Sequence, residues 1–230
     1  MRLDIIAALP RFFDSVFDNA IYRRSVQSGL IQVNVHDLRD FGLGTYRQID
    51  DYAYGGSAGM VLMAQPLSQC IESLKSQVTY DEIIYLTPDG TVFNQAEANR
   101  LSLRQNLLLI CGHYKGIDQR IRDLYVTREI SIGDYVLSGG ELAAAVLADA
   151  ILRLIPGIMG DESSALSDSH QDSLLSPPVY TRPADFNGML VPEVLLSGND
   201  KLIREWQHQQ AIDRTRERRP DLWENWREGE

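Results

Sequence analysis

The sequence predicts an α/β protein built on a parallel sheet and followed by a small helical C-terminal domain. Short apolar runs that read as strands end at Leu86, Cys111 and Ile132 and alternate with helical patterns, the arrangement that covers both faces of a parallel sheet. The chain has 230 residues, 44% hydrophobic and 23% charged, which is ordinary globular composition and enough to build a core without disulfide or metal staples. All 3 tryptophans lie beyond Pro192, where the pattern is helical.

The elements follow in order. Residues 3–9 read as an opening strand, and an amphipathic helical stretch begins after Pro10 and runs towards Gly29. Residues 30–35 alternate as a second strand. Residues 39–60 hold Gly42, Gly44, Gly55, Gly56 and Gly59; a loop this long without structure of its own is uncommon unless it binds something. The pattern then becomes regular: a helix over 65–75, a strand over 82–86, a helix over 94–103, a strand over 107–111, a short helix from Asp118 and a strand ending near Ile132. The next helix, 141–155, is apolar almost all the way round and stops at Pro156-Gly157. Residues 161–176 are rich in Ser and Asp and read as a flexible linker, and 192–226 as helical. The expected domains are therefore 1–160, a linker over 161–176, and 177–230.

Several classes are excluded. The unbroken apolar run from Leu142 to Ala148 falls far short of the roughly 20 residues a bilayer crossing needs. Asp4 and Pro10 interrupt the N-terminal apolar stretch, no small-residue cleavage pattern follows, and the expected address is cytoplasmic. Cys70 and Cys111 form no C-x-x-C pair and read as reduced core thiols. There is no G-x-G-x-x-G after a strand, no phosphate-cradling G-x-x-x-x-G-K-[ST] and no G-x-S-x-G, and His36, His113, His170 and His208 are too scattered for zinc spacing. A net charge of −10 argues against a dedicated nucleic-acid binder, so any RNA contact must come from a local patch. Arg214, Arg216, Arg218 and Arg219 form such a patch, but Asp213 and Glu217 are interleaved with them, and on spacing alone this is a solvated helix face.

In parallel α/β sheets ligands bind outside the carboxyl ends of the strands, where main-chain groups leave the ladder. The segments at these ends are Thr87-Pro88-Asp89-Gly90, Gly112-His113-Tyr114-Lys115-Gly116 and Gly133-Asp134-Tyr135-Val136-Leu137-Ser138-Gly139-Gly140. Glycine caps and turns explain one such loop; three in succession favour a crevice. Arg153 shares the polar stripe of its helix with Glu141 and Asp149, and its spacing alone reads as an i,i+4 pair with Asp149. Asp168, in the Ser-rich connector, reads on its own as a helix cap or solvated acid.

Arg39-Asp40-Phe41, the stretch Asp50-Asp51-Tyr52-Ala53-Tyr54-Gly55-Gly56-Ser57-Ala58-Gly59-Met60, Cys111-Gly112-His113-Tyr114-Lys115-Gly116-Ile117-Asp118, Ser131-Ile132-Gly133-Asp134-Tyr135-Val136-Leu137-Ser138-Gly139-Gly140-Glu141-Leu142, Tyr180-Thr181-Arg182-Pro183 and Val191-Pro192-Glu193-Val194-Leu195-Leu196-Ser197-Gly198 closely resemble the bacterial tRNA (guanine-N1)-methyltransferase family, end to end and in order. The resemblance implies a SPOUT-class fold with a deep trefoil knot, a homodimer with its active site at the subunit interface, and S-adenosyl-L-methionine as donor. It places that donor against Tyr85, Leu86, Thr87 and Pro88, against Gly112, Tyr114, Lys115 and Gly116, and against Ser131, Ile132, Gly133, Asp134, Tyr135, Val136, Leu137, Gly139 and Gly140. The implied reaction is methylation of N1 of guanosine 37 in tRNA. The positions matching the family's functional pair are Asp168, as general base, and Arg153, as electrostatic stabiliser. Arg182, Arg214 and Arg218 are the expected tRNA contacts. A magnesium requirement is implied only by analogy, since no metal site can be read from the residues.

The sequence also departs from the family. Lys115 stands where a glutamate is common, Ser176 where an aspartate is common, and Ser57-Ala58 where glycine-proline is more usual. Recognition of the donor's amino-acid end is therefore expected to differ. Two alternatives stay open at this stage: another knotted RNA methyltransferase, acting on a ribose 2′-hydroxyl or on ribosomal RNA, and a non-catalytic module that binds RNA or S-adenosylmethionine.

Overall fold

Residues 107–111, Leu-Leu-Leu-Ile-Cys, form the middle of the sheet in the structure, a computed structural model that describes residues 1–56, 58–159, 169–170 and 174–229. The chain divides into two compact units, Met1–Asp161 and Glu162–Glu230.

In the first unit, β1 (Arg2–Ala7) leads through a 3-10 turn (Pro10–Phe13), α1 (Asp14–Phe17) and α2 (Ala20–Gln27) to β2 (Gln32–Asp37). A short hairpin follows, β3 (Asp50–Tyr52) with β4 (Met60–Leu62), and then α3 (Ala64–Lys75). Next come β5 (Glu82–Val92), α4 (Gln95–Ser102), β6 (Asn106–Cys111), α5 (Gln119–Tyr125), β7 (Arg128–Ser131) and α6 (Glu141–Leu152). The main sheet is 5-stranded in the order β2-β1-β6-β5-β7, and every pairing in it is parallel.

Because side chains alternate across a strand, β6 feeds two cores. Leu107, Leu109 and Cys111 join Leu3, Ile5, Ile84 and Leu86 beneath Ala144, Leu147 and Ile151 of α6. Leu108 and Ile110 join Ile6, Ile83 and Tyr85 against Leu67, Cys70 and Ile71 of α3 and Ile121 of α5. The two cysteines thus lie on opposite faces. Burial pushes the Cys70 thiol up to about 12, so it stays protonated in its core.

The structure corrects several expected boundaries. The stretch after Pro10 is broken, because the Asn19 side chain accepts from the backbone N–H groups of Ile21 and Tyr22 and restarts the helix there. The glycine-rich segment over 39–60 carries the β3–β4 hairpin rather than lacking structure. β5 runs beyond Leu86 to Val92, but its pairing with β7 skips residues 87–90: Leu86 and Thr91 both oppose Ile130. The helix expected over 141–155 ends at Leu152.

In the second unit a two-stranded pairing (Asp185–Phe186 with Met189–Leu190) precedes the helices Glu193–Leu196, Asp200–Arg218 and Pro220–Gly229. Its buried apolar residues, among those described, are Leu174 and Ala211, beside a buried Thr215 that accepts from the Leu175 N–H and donates to the Ala211 carbonyl. Most of the connector expected over 161–176, including Asp168, lies outside the described residues, as does Ser57.

Candidate active site

The carboxyl ends of β5, β6 and β7 open into a cavity of 480 Å³. Sixteen of the seventeen residues expected at the donor site line it: Tyr85, Leu86, Thr87 and Pro88; Gly112, Tyr114, Lys115 and Gly116; and Ser131, Ile132, Gly133, Tyr135, Val136, Leu137, Gly139 and Gly140. The remaining one, Asp134, is exposed and does not line it. Asp89, His113, Arg122, Ile130, Ser138 and Ala143 also contribute. Of these, Arg122 lies on α5 and carries no motif, so nothing in its sequence context points to the cavity.

Main-chain contacts hold the walls together. The Gly140 N–H donates to the Gly112 carbonyl at 2.7 Å, and His113 bridges Gly139 in antiparallel fashion. On the other side the Lys115 N–H donates to the Met60 carbonyl and the Leu62 N–H to the Gly116 carbonyl, both at 3.0 Å, which ties the β3–β4 hairpin to the same loop. Two glycines are required by close approach. A Cβ on Gly140 would lie 2.7 Å from the Gly112 nitrogen and 2.9 Å from the Cys111 Cα, and one on Gly112 would lie 3.0 Å from the Tyr85 ring. Tyr114, in the left-handed region at φ 57, turns its chain sharply at the rim.

The polar groups are few. Burial pushes the Tyr85 hydroxyl above its ordinary range, leaving it a neutral hydrogen-bonding group. The hydrogen bond from Thr87, and then that from Arg122, hold Asp89 below the usual carboxylate range, so it is an anion at neutral pH. His113 Nδ1 is buried without a hydrogen-bond partner among the described residues, 3.9 Å from the buried carboxylate of Glu141. Glu141 Oε1 accepts from the Leu9 N–H. The cavity therefore combines glycine-lined main chain, apolar Leu86, Ile130, Ile132 and Leu137, and a small set of hydroxyls and charges, the make-up of a nucleoside-sized ligand site.

Of the expected catalytic pair, the described residues include Arg153 alone. Arg153 is the C-cap of α6, its N–H bonded to the Asp149 carbonyl, and the Asp149 carboxylate accepts from the Tyr22 hydroxyl. Because α6 begins at the cavity wall and rises about 1.5 Å per residue, Arg153 lies roughly 20 Å along the helix from Gly140. Asp168 lies outside the described residues. In the second unit Arg182 and Arg218 are exposed, and Arg214 is half-buried with its Nε unpartnered among the described residues.

The model of the family described as tRNA (Guanine-1)-methyltransferase TrmD matches residues 1–225. The chain belongs to this family. A relative from Cytophaga hutchinsonii, named tRNA (guanine-N(1)-)-methyltransferase, is 59% identical over 224 residues, covering 97% of this chain and 95% of its own. Relatives of the same name from Christiangramia forsetii and Bacteroides thetaiotaomicron are each 56% identical, covering 96% and 98% of this chain and 98% and 100% of their own. The match thus spans the cavity, α6 and the second unit together.

Proposed function

We propose that this chain is a tRNA methyltransferase that transfers a methyl group from S-adenosyl-L-methionine to N1 of guanosine 37. The observation that carries the reading is the family match over residues 1–225, joined to a cavity at the carboxyl edge of a parallel sheet whose lining the family's motif residues supply. The residues present fit the donor. Gly112 and Gly140 leave main chain bare where a Cβ would intrude, Leu86, Ile130, Ile132 and Leu137 offer an apolar bed for a purine, and Thr87, Ser131 and Asp89 offer polar partners. Bound there, the donor supplies a methyl group on a sulfonium centre.

The chain's own residues supply the rest. N1 of guanine carries a proton and is a poor nucleophile, so Asp168 takes that proton while the Arg153 guanidinium stabilises the charge that develops on the base carbonyl. Arg153 sits too far along α6 to serve the cavity of its own subunit, which supports a homodimer in which each active site joins the cavity of one copy to Arg153 of the other. Exposed Val179, Phe186, Met189, Leu190, Leu196 and Leu202 in the second unit, with little apolar burial of their own, point the same way. In this reading residues 1–160 form the donor-binding domain with its trefoil knot, 161–176 the linker that carries Asp168, and 177–230 the tRNA-binding domain with Arg182, Arg214 and Arg218. The reaction belongs in the cytoplasm with its tRNA. No group of three or more His, Cys, Asp or Glu is placed to hold a metal ion among the described residues, and no step is drawn through magnesium.

The test is methyl transfer to a tRNA transcript with and without guanine at position 37, with nucleoside analysis of the product. N1-methylguanosine only in the first transcript is expected; a ribose methyl group, or equal labelling of both, overturns the assignment. Asp168→Asn should lower turnover by about 10² to 10⁴, or roughly 3 to 5 kcal/mol, with donor affinity little changed.

A further inference from the structure

Residues 87–89 form a wall of the donor cavity, yet with Gly90 they leave the β5–β7 ladder, so hydrogen bonds of that ladder do not fix them. What fixes them instead begins on a different element. Arg122, on α5, grips Glu129 of β7 in a two-pronged bond, Nε to Oε1 at 2.7 Å and Nη2 to Oε2 at 2.6 Å. The same Nη2 donates to Asp89 Oδ2 at 2.7 Å, and Asp89 in turn accepts from the Thr87 hydroxyl. Among the described residues no other ion pair reaches this wall. The guanidinium also lies 5.3 Å from the centre of the Tyr85 ring, whose edge lies close to Gly112 of the second wall. Its side chain is only 18% exposed and its bonds to Glu129 are half-buried, whereas the Asp89 carboxylate it holds is open to solvent.

We propose that Arg122 is a positioning residue for the methyl donor: anchored by Glu129, it sets the wall Thr87-Pro88-Asp89 and the Tyr85 ring at the distance the donor needs. This rests on the donor reading above. It separates the roles of two acids on one guanidinium. Asp89 is the part of the wall that is held, whereas Glu129 does not line the donor cavity and acts only as the anchor. Lysine cannot replace the arginine, because one ammonium does not reproduce a planar fork that serves both carboxylates.

The test uses the full chain and calorimetry with S-adenosylhomocysteine, alongside methyl-transfer kinetics. Glu129→Gln and Arg122→Met should each weaken binding about tenfold or more, the loss of about 1.4 kcal/mol. Their combination should be little worse than the poorer single variant, because both break one linkage. KM for the donor should rise while kcat at saturating donor stays within about twofold, and Arg122→Lys should behave like Arg122→Met. If Arg122→Met fails to fold, Glu129→Gln carries the test, since it leaves the arginine and every cavity-lining residue in place. Wild-type affinity in Glu129→Gln, or a fall in kcat with unchanged KM, overturns the inference alone. Absence of binding by the wild-type chain overturns the donor reading and this inference with it.

Discussion

At the scale of single residues, Asp4 is a tightly constrained charge among the described residues. It is fully buried in β1, and its carboxylate accepts from Arg2 Nε at 2.6 Å, Tyr80 Oη at 2.7 Å and Asn34 Nδ2 at 2.9 Å, with His36 Nε2 at 2.8 Å. Burial pushes its pKa up, but the bonds to His36, Arg2, Tyr80 and Asn34 outweigh burial and hold it well below the usual carboxylate range. Because the unfolded state binds the proton more readily, this stabilisation is complete above about pH 4 and is lost as pH falls below that value towards the lowered native one. Asp4→Asn should cost about 3 kcal/mol at pH 7 and flatten the acid limb of a stability-versus-pH curve measured by urea unfolding. The arginines of the second unit make a different kind of prediction. Arg216 is already paired with Asp213 at 2.9 Å and Arg219 with Asp221 at 2.6 Å, whereas Arg218 has no ion pair among the described residues. Arg218→Ala should therefore weaken tRNA binding several-fold more than Arg216→Ala in a filter or mobility assay, and the difference should shrink as salt is raised.

At the scale of elements, the donor cavity depends on how loops leave the sheet. Most of that was legible in the sequence. Apolar runs at 107–111 and 82–86 and the capping residues Asn94 and Asp118 mark β6, β5 and the starts of α4 and α5, because strand period and cap chemistry are local. The glycine segments at the strand ends mark the cavity for the same reason. The continuation of β5 to Val92 was hidden, since it depends on partners in β7 far along the chain, and the β3–β4 hairpin was hidden because its strands are only three residues each and lie among glycines. Arg122 was hidden too: its importance comes from Asp89, 33 residues earlier, and from the Tyr85 ring. Gly140 tests the element scale directly. An added Cβ meets the main chain of Cys111 and Gly112, which cannot turn aside as a flexible side chain does. Gly140→Ala should destabilise the first unit by about 1–3 kcal/mol in thermal unfolding and weaken S-adenosylhomocysteine binding in parallel.

At the scale of the whole molecule, the length of α6 sets the expected assembly. A rigid helix with the cavity at one end and Arg153 at the other separates the two halves of the proposed chemistry within one chain. In the proposed homodimer, two copies bring them together. Light scattering should give twice the mass of one chain, and a mixture of Arg153→Ala with the weakly binding Gly140→Ala variant, refolded together, should recover more methyl transfer than either shows alone. Failure to recover activity in hybrids shown to form would mean that each subunit works with its own Arg153. Net charge adds a second molecular-scale constraint: at −10 overall, the protein repels RNA at long range, so tRNA capture must be local and strongly salt-dependent.

The bare backbone at Gly112 and Gly140 also bears on resistance. A competitive inhibitor seated on those two positions would be hard to escape by point mutation there, because every replacement adds atoms against main chain or against the Tyr85 ring. In a laboratory selection the escape mutations should instead gather on side chains at the periphery, such as Tyr135 or Lys115, where substitution leaves the framework intact.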